Sequence, residues 1–497
     1  MQKLKYTAKP KIGIYTMGLR AYWDQFPGLK KRLLSYGEFI KRKVEAMGAE
    51  AVFYGLVDCP EEGRKCGELF CSQGVDLILA HSATYVTSAS ILPVHRRCSA
   101  RTVVLSLQPA ARVNYEKSTT GEWLAHCGLC PVPEISNAFN RAGIPFHVVS
   151  GLLGMSDTPA ISMTDENTAE RPEAIRAWKE IEEWVRAASV LSGLRRANFG
   201  FLGNYYSGML DMYSDFTMLE ASTGIHADIL EMCDLNRALK SVTEEEVRHK
   251  RREIAEFFVF GNAGADPRNH APSEDELDWS ARVAAAQEKL ALERDLDALA
   301  YYYHGEPRGN YERLQSGFIV GHSLLTAKGI PCAGEADIKT CLGMKICDIL
   351  GVGGSFCEIA AVDYLDGTIL MGHDGPFHID IAEGKPILRG LGVYHGKQGS
   401  GISVEAKVRT GPITNLSITQ TVEGTLKFII TEAESTAGDI MALGNTQTPV
   451  KFGKHPDACI EEWLAHAPTH HFAMSVGHNA GLLEKTALLL GIKYVIL

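Results

Sequence analysis

Asp76-Leu77-Ile78-Leu79-Ala80 reads as a short strand whose apolar run no solvent-facing alternation interrupts. Such a run is expected where helices cover both faces of a parallel sheet. The pattern repeats on either side of it. Upstream, residues 11–16 and 51–54 read as strands, separated by an amphipathic helix over 29–47, and 60–72 is helical. Downstream, 102–107 and 145–149 add two more strands. Short apolar runs separated by helices predict right-handed βαβ crossovers.

A long helix is expected over 171–194, with Pro172 in its first turn, where proline costs no hydrogen bond. Gly193 lies near its end and a new strand starts at 198–202, so the first domain boundary falls near Arg195. A second α/β unit follows. Thr243-x-x-Glu246 and Ser273-x-x-Glu276 are capping boxes that start two of its helices. The polar stretch 261–272 reads as a loop between them. After about Gly351 the period changes: 402–408, 413–421 and 425–431 alternate as antiparallel strands of a sandwich or barrel. A helix at 480–490 and a strand at 493–497 close the chain. The expected fold class is α/β. Two doubly wound parallel-sheet domains (1–195 and 196–350) precede a β-rich, barrel-like C-terminal domain (351–497).

With 497 residues the chain suits roughly three domains. A net charge of −10, with no basic stripe, argues against a nucleic-acid partner. The densest basic run, Arg248-His249-Lys250-Arg251-Arg252, is interleaved with glutamates and reads as a solvated helix face. No stretch approaches the ~18 apolar residues of a membrane span, and the N-terminus lacks an apolar signal region. A cytoplasmic protein is expected. Its twelve cysteines are scattered and should be reduced. Cys127-Gly128-Leu129-Cys130 is an isolated CxxC without the second pair a zinc site wants. The first βα turn lacks GxGxxG, and Gly351-Val352-Gly353-Gly354-Ser355 lacks a P-loop lysine, so nucleotide binding is not expected. Tyr22-Trp23-Asp24-Gln25-Phe26-Pro27 is apolar and aromatic. It would either pack on its own domain or close over the site of a neighbouring subunit.

Four segments late in the chain carry chemistry: Gly334-Glu335-Ala336-Asp337, Phe356-Cys357-Glu358, Met371-Gly372-His373-Asp374 and Thr469-His470-His471. Two carboxylates and two imidazoles suit a divalent metal of intermediate hardness, with Mn²⁺ the first choice. Glu358 sits in an apolar run, where a charge is costly unless paired or metal-bound. His378 is a rival to His373. Of His470 and His471, only one would face a shared site if both lay in a strand.

The order and context of these segments resemble the L-arabinose isomerase and L-fucose isomerase superfamily. Gly334-Glu335-Ala336-Asp337-Ile338-Lys339-Thr340 is similar to its acid/base segment, and Phe356-Cys357-Glu358 to its second glutamate segment. Gly372-His373 and Thr469-His470-His471-Phe472 are similar to its two histidine segments. Gly396-Lys397, Thr410-Gly411-Pro412 and residues 84–93 add weaker matches. The resemblance implies a Mn²⁺-dependent aldose–ketose isomerase, with Glu335 and Glu358 catalytic and Glu335, Glu358, His373 and His471 binding the metal. It also implies a homo-oligomer, trimer or hexamer, and a small sugar as substrate. In that chemistry the metal stabilises a cis-enediolate while the carboxylates move the proton between C1 and C2. The segment Met17-Gly18-Leu19-Arg20-Ala21-Tyr22-Trp23 and residues 121–137 depart from the L-arabinose enzymes. The Gly372-His373-Asp374-Gly375-Pro376 turn is closer to fucose-isomerase-like relatives. These departures bear on which sugar is used. Two other classes fit the same residues: a non-catalytic sugar-binding protein, and a metal-dependent lyase or epimerase acting on a sugar acid.

Overall fold

The computed structural model describes residues 2–5, 9–112, 114–156, 167–262, 266–394 and 397–497. Gly396, in one of the weaker matches, lies outside them. The chain forms two compact units, Ala8–Gly193 and Met1–Thr7 with Leu194–Leu497.

In the first unit five strands form one parallel sheet. Their spatial order is Glu50–Val57, Lys11–Met17, Leu77–His81, Arg101–Gln108 and Phe146–Leu152. Leu77–His81 lies in the middle of this sheet, and all five of its residues are buried. That is why its sequence shows no alternation. Trp23 is held within this unit: its indole N–H donates to Asp58 at 2.8 Å, and Asp58 also pairs with Arg20. Cys127 and Cys130 follow a short helix, Thr120–His126, and all twelve cysteines are free thiols. Burial pushes the Cys127 thiol up to about 11, reinforced by its neighbour Cys130.

The second unit has its own parallel sheet, ordered Cys332–Ala333, Ala298–Tyr302, Asn198–Gly203 and His226–Leu230. Both capping boxes form as expected and start the helices Glu244–Phe257 and Glu274–Glu293. Six antiparallel strands then close into a barrel. They run Gly411–Gln420, His471–Val476, Gly353–Asp363, Thr368–Gly372, Thr448–Lys451 and Leu426–Ser435, which pairs back with the first. Closure leaves no free edge among the six. Lys493–Ile496 adds a parallel strand outside this ring.

The strand expected at 402–408 is Lys397–Glu405, and it belongs to a separate small sheet with Ile387–Tyr394 rather than to the barrel. Leu388, Ile402 and Val404 are fully buried, so the alternation seen in sequence reflects one face of this small sheet packed into the core. The stretch read as the loop 261–272 contains the short strand Asn269–His270, which pairs with Ile387–Tyr394. A two-residue strand is too short to show a period. Among the described residues no helix is long and apolar enough to cross a membrane.

Candidate metal centre

Phe356 and Glu358 lie two apart on the strand Gly353–Asp363 and so face the same way. Register puts Glu358 between two neighbours, Gly372 on one strand and His471 on the other. His373 follows Gly372 directly, so three ligand-type side chains arrive at one place from three strands. Gly372 is required there. A Cβ at this position would lie 1.8 Å from the Thr446 carbonyl oxygen. We expect Gly372→Ala to cost roughly 3 kcal/mol or more, as overpacking against backbone does, read as a fall in the urea midpoint. Thr446 also clamps the next residue. Its hydroxyl accepts from the His373 N–H at 2.8 Å and donates to the His373 carbonyl at 2.9 Å.

The Phe356 ring forms an apolar floor under both imidazoles. Its centroid lies 4.7 Å from that of His373 and 4.3 Å from that of His471. Gly334 packs onto the same ring, where a Cβ would come within 3.2 Å. The chain then turns sharply. Glu335 and Ala336 both adopt left-handed backbone, with φ of 56° and 61°. Non-glycine residues there cost about 1–3 kcal/mol each, and such strain collects at functional sites. The turn is held by Asp337 N–H donating to the Gly334 carbonyl and Tyr206 N–H donating to the Glu335 carbonyl. It buries the Glu335 side chain with Oε2 3.4 Å from His471 Nε2.

Asp337 is fully buried and caps the helix Ile338–Ile349. It accepts from Lys339 N–H and Thr340 N–H at 3.1 and 3.0 Å and from the Thr340 hydroxyl at 2.8 Å. Its other role is to sit 3.2 Å from His471 Nδ1. Burial works to raise this carboxyl, but hydrogen bonding from His471 and nearby positive charge outweigh it and hold it below the usual value. An ionised Asp337 makes Nδ1 the donor and leaves the Nε2 lone pair facing the site. The buried Nε2 has no hydrogen-bond partner among the described residues. Burial pushes the Glu358 carboxyl up, and the Glu335 charge adds to that, against an opposing pull from His471 and His470.

The four expected residues come together as two overlapping groups. Ligand atoms of Glu358, His373 and His471 lie within 4.8 Å of one another, and so do those of Glu335, His470 and His471. The donor chemistry fits a divalent ion: carboxylate oxygen and imidazole nitrogen in a buried pocket, with His471 oriented from behind by a carboxylate. His378 belongs to neither group. It is buried, its N–H donates to the Ser355 hydroxyl, and burial lowers it to about 4.

His470 and His471 both approach Glu335, at 3.7 and 3.4 Å, contrary to the expectation that only one would face the site. The strand begins at His471, so the alternation rule does not govern His470. Instead Asp211 holds His470 by two contacts, 3.0 Å to its N–H and 2.7 Å to Nδ1. Burial opposes protonation of His470, but hydrogen bonds to Asp211 and Glu335 and the surrounding carboxylates push it up to about 10. Lys339, also fully buried, donates to the Met212 carbonyl and the Ser214 hydroxyl, both at 2.9 Å, and so ties down the segment that carries Asp211.

Asp337 was readable as a helix cap, an aspartate just before a helical run, though not as a partner of His471. Asp211 had no signal, because it lies 259 positions from His470. We expect Asp337→Asn to weaken Mn²⁺ binding roughly 10–100-fold, as loss of an orienting carboxylate does, measured by titration calorimetry. An unchanged affinity would remove Asp337 from this role.

No family model and no curated protein matches the chain. Solved structures give weak likenesses. One is an ABC transporter periplasmic solute binding protein from Actinobacillus succinogenes 130z with bound D-allose, 10% identical with a TM-score of 0.17. It covers 66% of this chain and 78% of that one. Another is a ligand-free, open substrate binding protein with adhesive properties from Clostridium difficile, 11% identical with a TM-score of 0.15. It covers 69% of this chain and 95% of that one. Likenesses this slight carry no functional argument.

Proposed function

We propose that the protein is a metal-dependent aldose–ketose isomerase acting on an open-chain pentose or 6-deoxyhexose. The observation that carries this reading is the meeting of Glu358, His373 and His471 within 4.8 Å, with Glu335 3.4 Å from His471 Nε2. The sequence resemblance to the L-arabinose and L-fucose isomerases supports the same assignment.

Isomerisation needs a base for the carbon-bound proton and an acid for the oxygens. Glu335 and Glu358 fill these two roles. Burial raises the Glu358 carboxyl, which brings it nearer the range where it can both take and return a proton. When bound, a divalent ion such as Mn²⁺ supplies polarisation of the sugar oxygens. Asp337 fixes the ring of His471, Thr446 fixes the backbone of His373, and Phe356 keeps that side of the pocket dry. A homo-oligomer, trimer or hexamer, follows from the resemblance alone.

The test is to incubate the protein with Mn²⁺ and a panel of aldopentoses and 6-deoxyaldohexoses, and to read products by NMR. Ketose formation from at least one sugar is expected. Sugar bound but recovered unchanged would make this a binding protein. Turnover confined to sugar acids, giving an epimer or a dehydrated product, would make it a lyase or epimerase.

A further inference from the structure

Glu358 and His471 face the metal centre, so the next residue on each strand, Ile359 and Phe472, faces the opposite way. These two line a cavity of about 230 Å³ on that other side. Met371 and Asn415, from two further barrel strands, also line it. Ile460 and Trp463, on the helix Pro456–Ala465, form part of the same wall.

Of the buried side-chain nitrogen and oxygen atoms that line the cavity, one has no hydrogen-bond partner among the described residues. Lys454 pairs with Glu462. Glu432 accepts from the Ala480 N–H at 2.7 Å. The Thr431 hydroxyl takes an N–H of Asn415 at 3.4 Å, and the Asn415 amide also reaches the sulfur of Met371 at 3.6 Å. Asn415 Oδ1, on a side chain only 1% exposed, accepts no hydrogen bond among the described residues. A buried acceptor left without a donor costs roughly 1–3 kcal/mol.

We propose that this cavity is a second ligand site, for a compact, neutral, mainly apolar ring compound with a single N–H or O–H. Lys454 is already paired with Glu462, so an anionic ligand would find no free cation among the described lining residues, and Glu432 is already engaged by the Ala480 N–H. A polyhydroxylated sugar would leave most of its hydroxyls unmatched against Ile359, Met371, Phe472 and Trp463. Size follows from volume: an apolar cavity of ~150 Å³ holds a six-atom benzene ring. By proportion this one holds about nine heavy atoms, the size of indole. The ligand's one donor meets Asn415 Oδ1. The site is separate from the metal centre and does not depend on the isomerase reading.

Indole and indene test this, because they share shape and differ in the ring N–H. Titration calorimetry on the full chain should show saturable one-to-one binding of indole. Indene should bind roughly three- to tenfold more weakly, the effect of one hydrogen bond. Asn415→Leu, close in shape but without the acceptor, should bring the two affinities together. Ile460→Trp, which fills the cavity from the helix side, should abolish both. Absence of saturable indole binding to the wild-type protein overturns the proposal. So does binding that survives Ile460→Trp, which needs no change inside the barrel. Equal affinities for indole and indene in the wild type would remove Asn415 as the recognising group and overturn the single-donor ligand class.

Discussion

We expect Glu358→Gln to lower aldose turnover by on the order of 10²-fold or more, because in the proposed isomerase it would remove a proton-transferring carboxylate and keep its shape. The metal-free protein should keep its thermal stability. Burial already disfavours the charged form of Glu358, with Glu335 adding to the effect, so an uncharged amide relieves that penalty. Steady-state kinetics and a melting curve on one preparation check both halves. Unchanged turnover would reduce Glu358 to a structural residue. A collapse in stability without metal would mean the glutamate is needed for folding.

The second large effect is on metal affinity. His471 belongs to both ligand groups, whereas His373 belongs to one. Four-ligand sites bind structural zinc with roughly 10–16 kcal/mol, or about 3 kcal/mol per ligand, so losing one costs on the order of 10²-fold. We expect His471→Ala to weaken Mn²⁺ binding by at least that factor. His378→Ala is the control. It removes an equally buried imidazole that lies outside both groups, so its Mn²⁺ affinity should match the wild type. Equal losses in the two variants would mean that general damage, not ligation, is being measured.

What the sequence revealed was what local physics determines. The capping boxes at Thr243 and Ser273 could be read because each joins residues three apart. The helix Ala480–Leu490 could be read to the residue because apolar period and a following glycine agree. The buried parallel strands gave themselves away by unbroken apolar runs. What stayed hidden was set by distant pairing. Nothing near His471 indicates that its strand lies between Gly353–Asp363 and Gly411–Gln420 to complete a barrel. The left-handed backbone at Glu335 and Ala336 is invisible in a segment whose only glycine precedes the turn. The four candidate metal ligands were legible as chemistry and by resemblance. Their supports Asp211, Lys339 and Thr446 were not, and Asp337 was legible only as a helix cap, because each supports the site through a contact made only in the fold.

Diffraction from crystals soaked with Mn²⁺ and a pentitol, recorded at the manganese absorption edge, tests whether Glu358, His373 and His471 hold a metal ion. One strong anomalous peak is expected, with oxygen and nitrogen atoms of these side chains at roughly 2.0–2.4 Å from it. Glu335 should lie beside it, with polyol oxygens completing the coordination. No peak at saturating Mn²⁺, or a peak away from these side chains, would contradict the assignment.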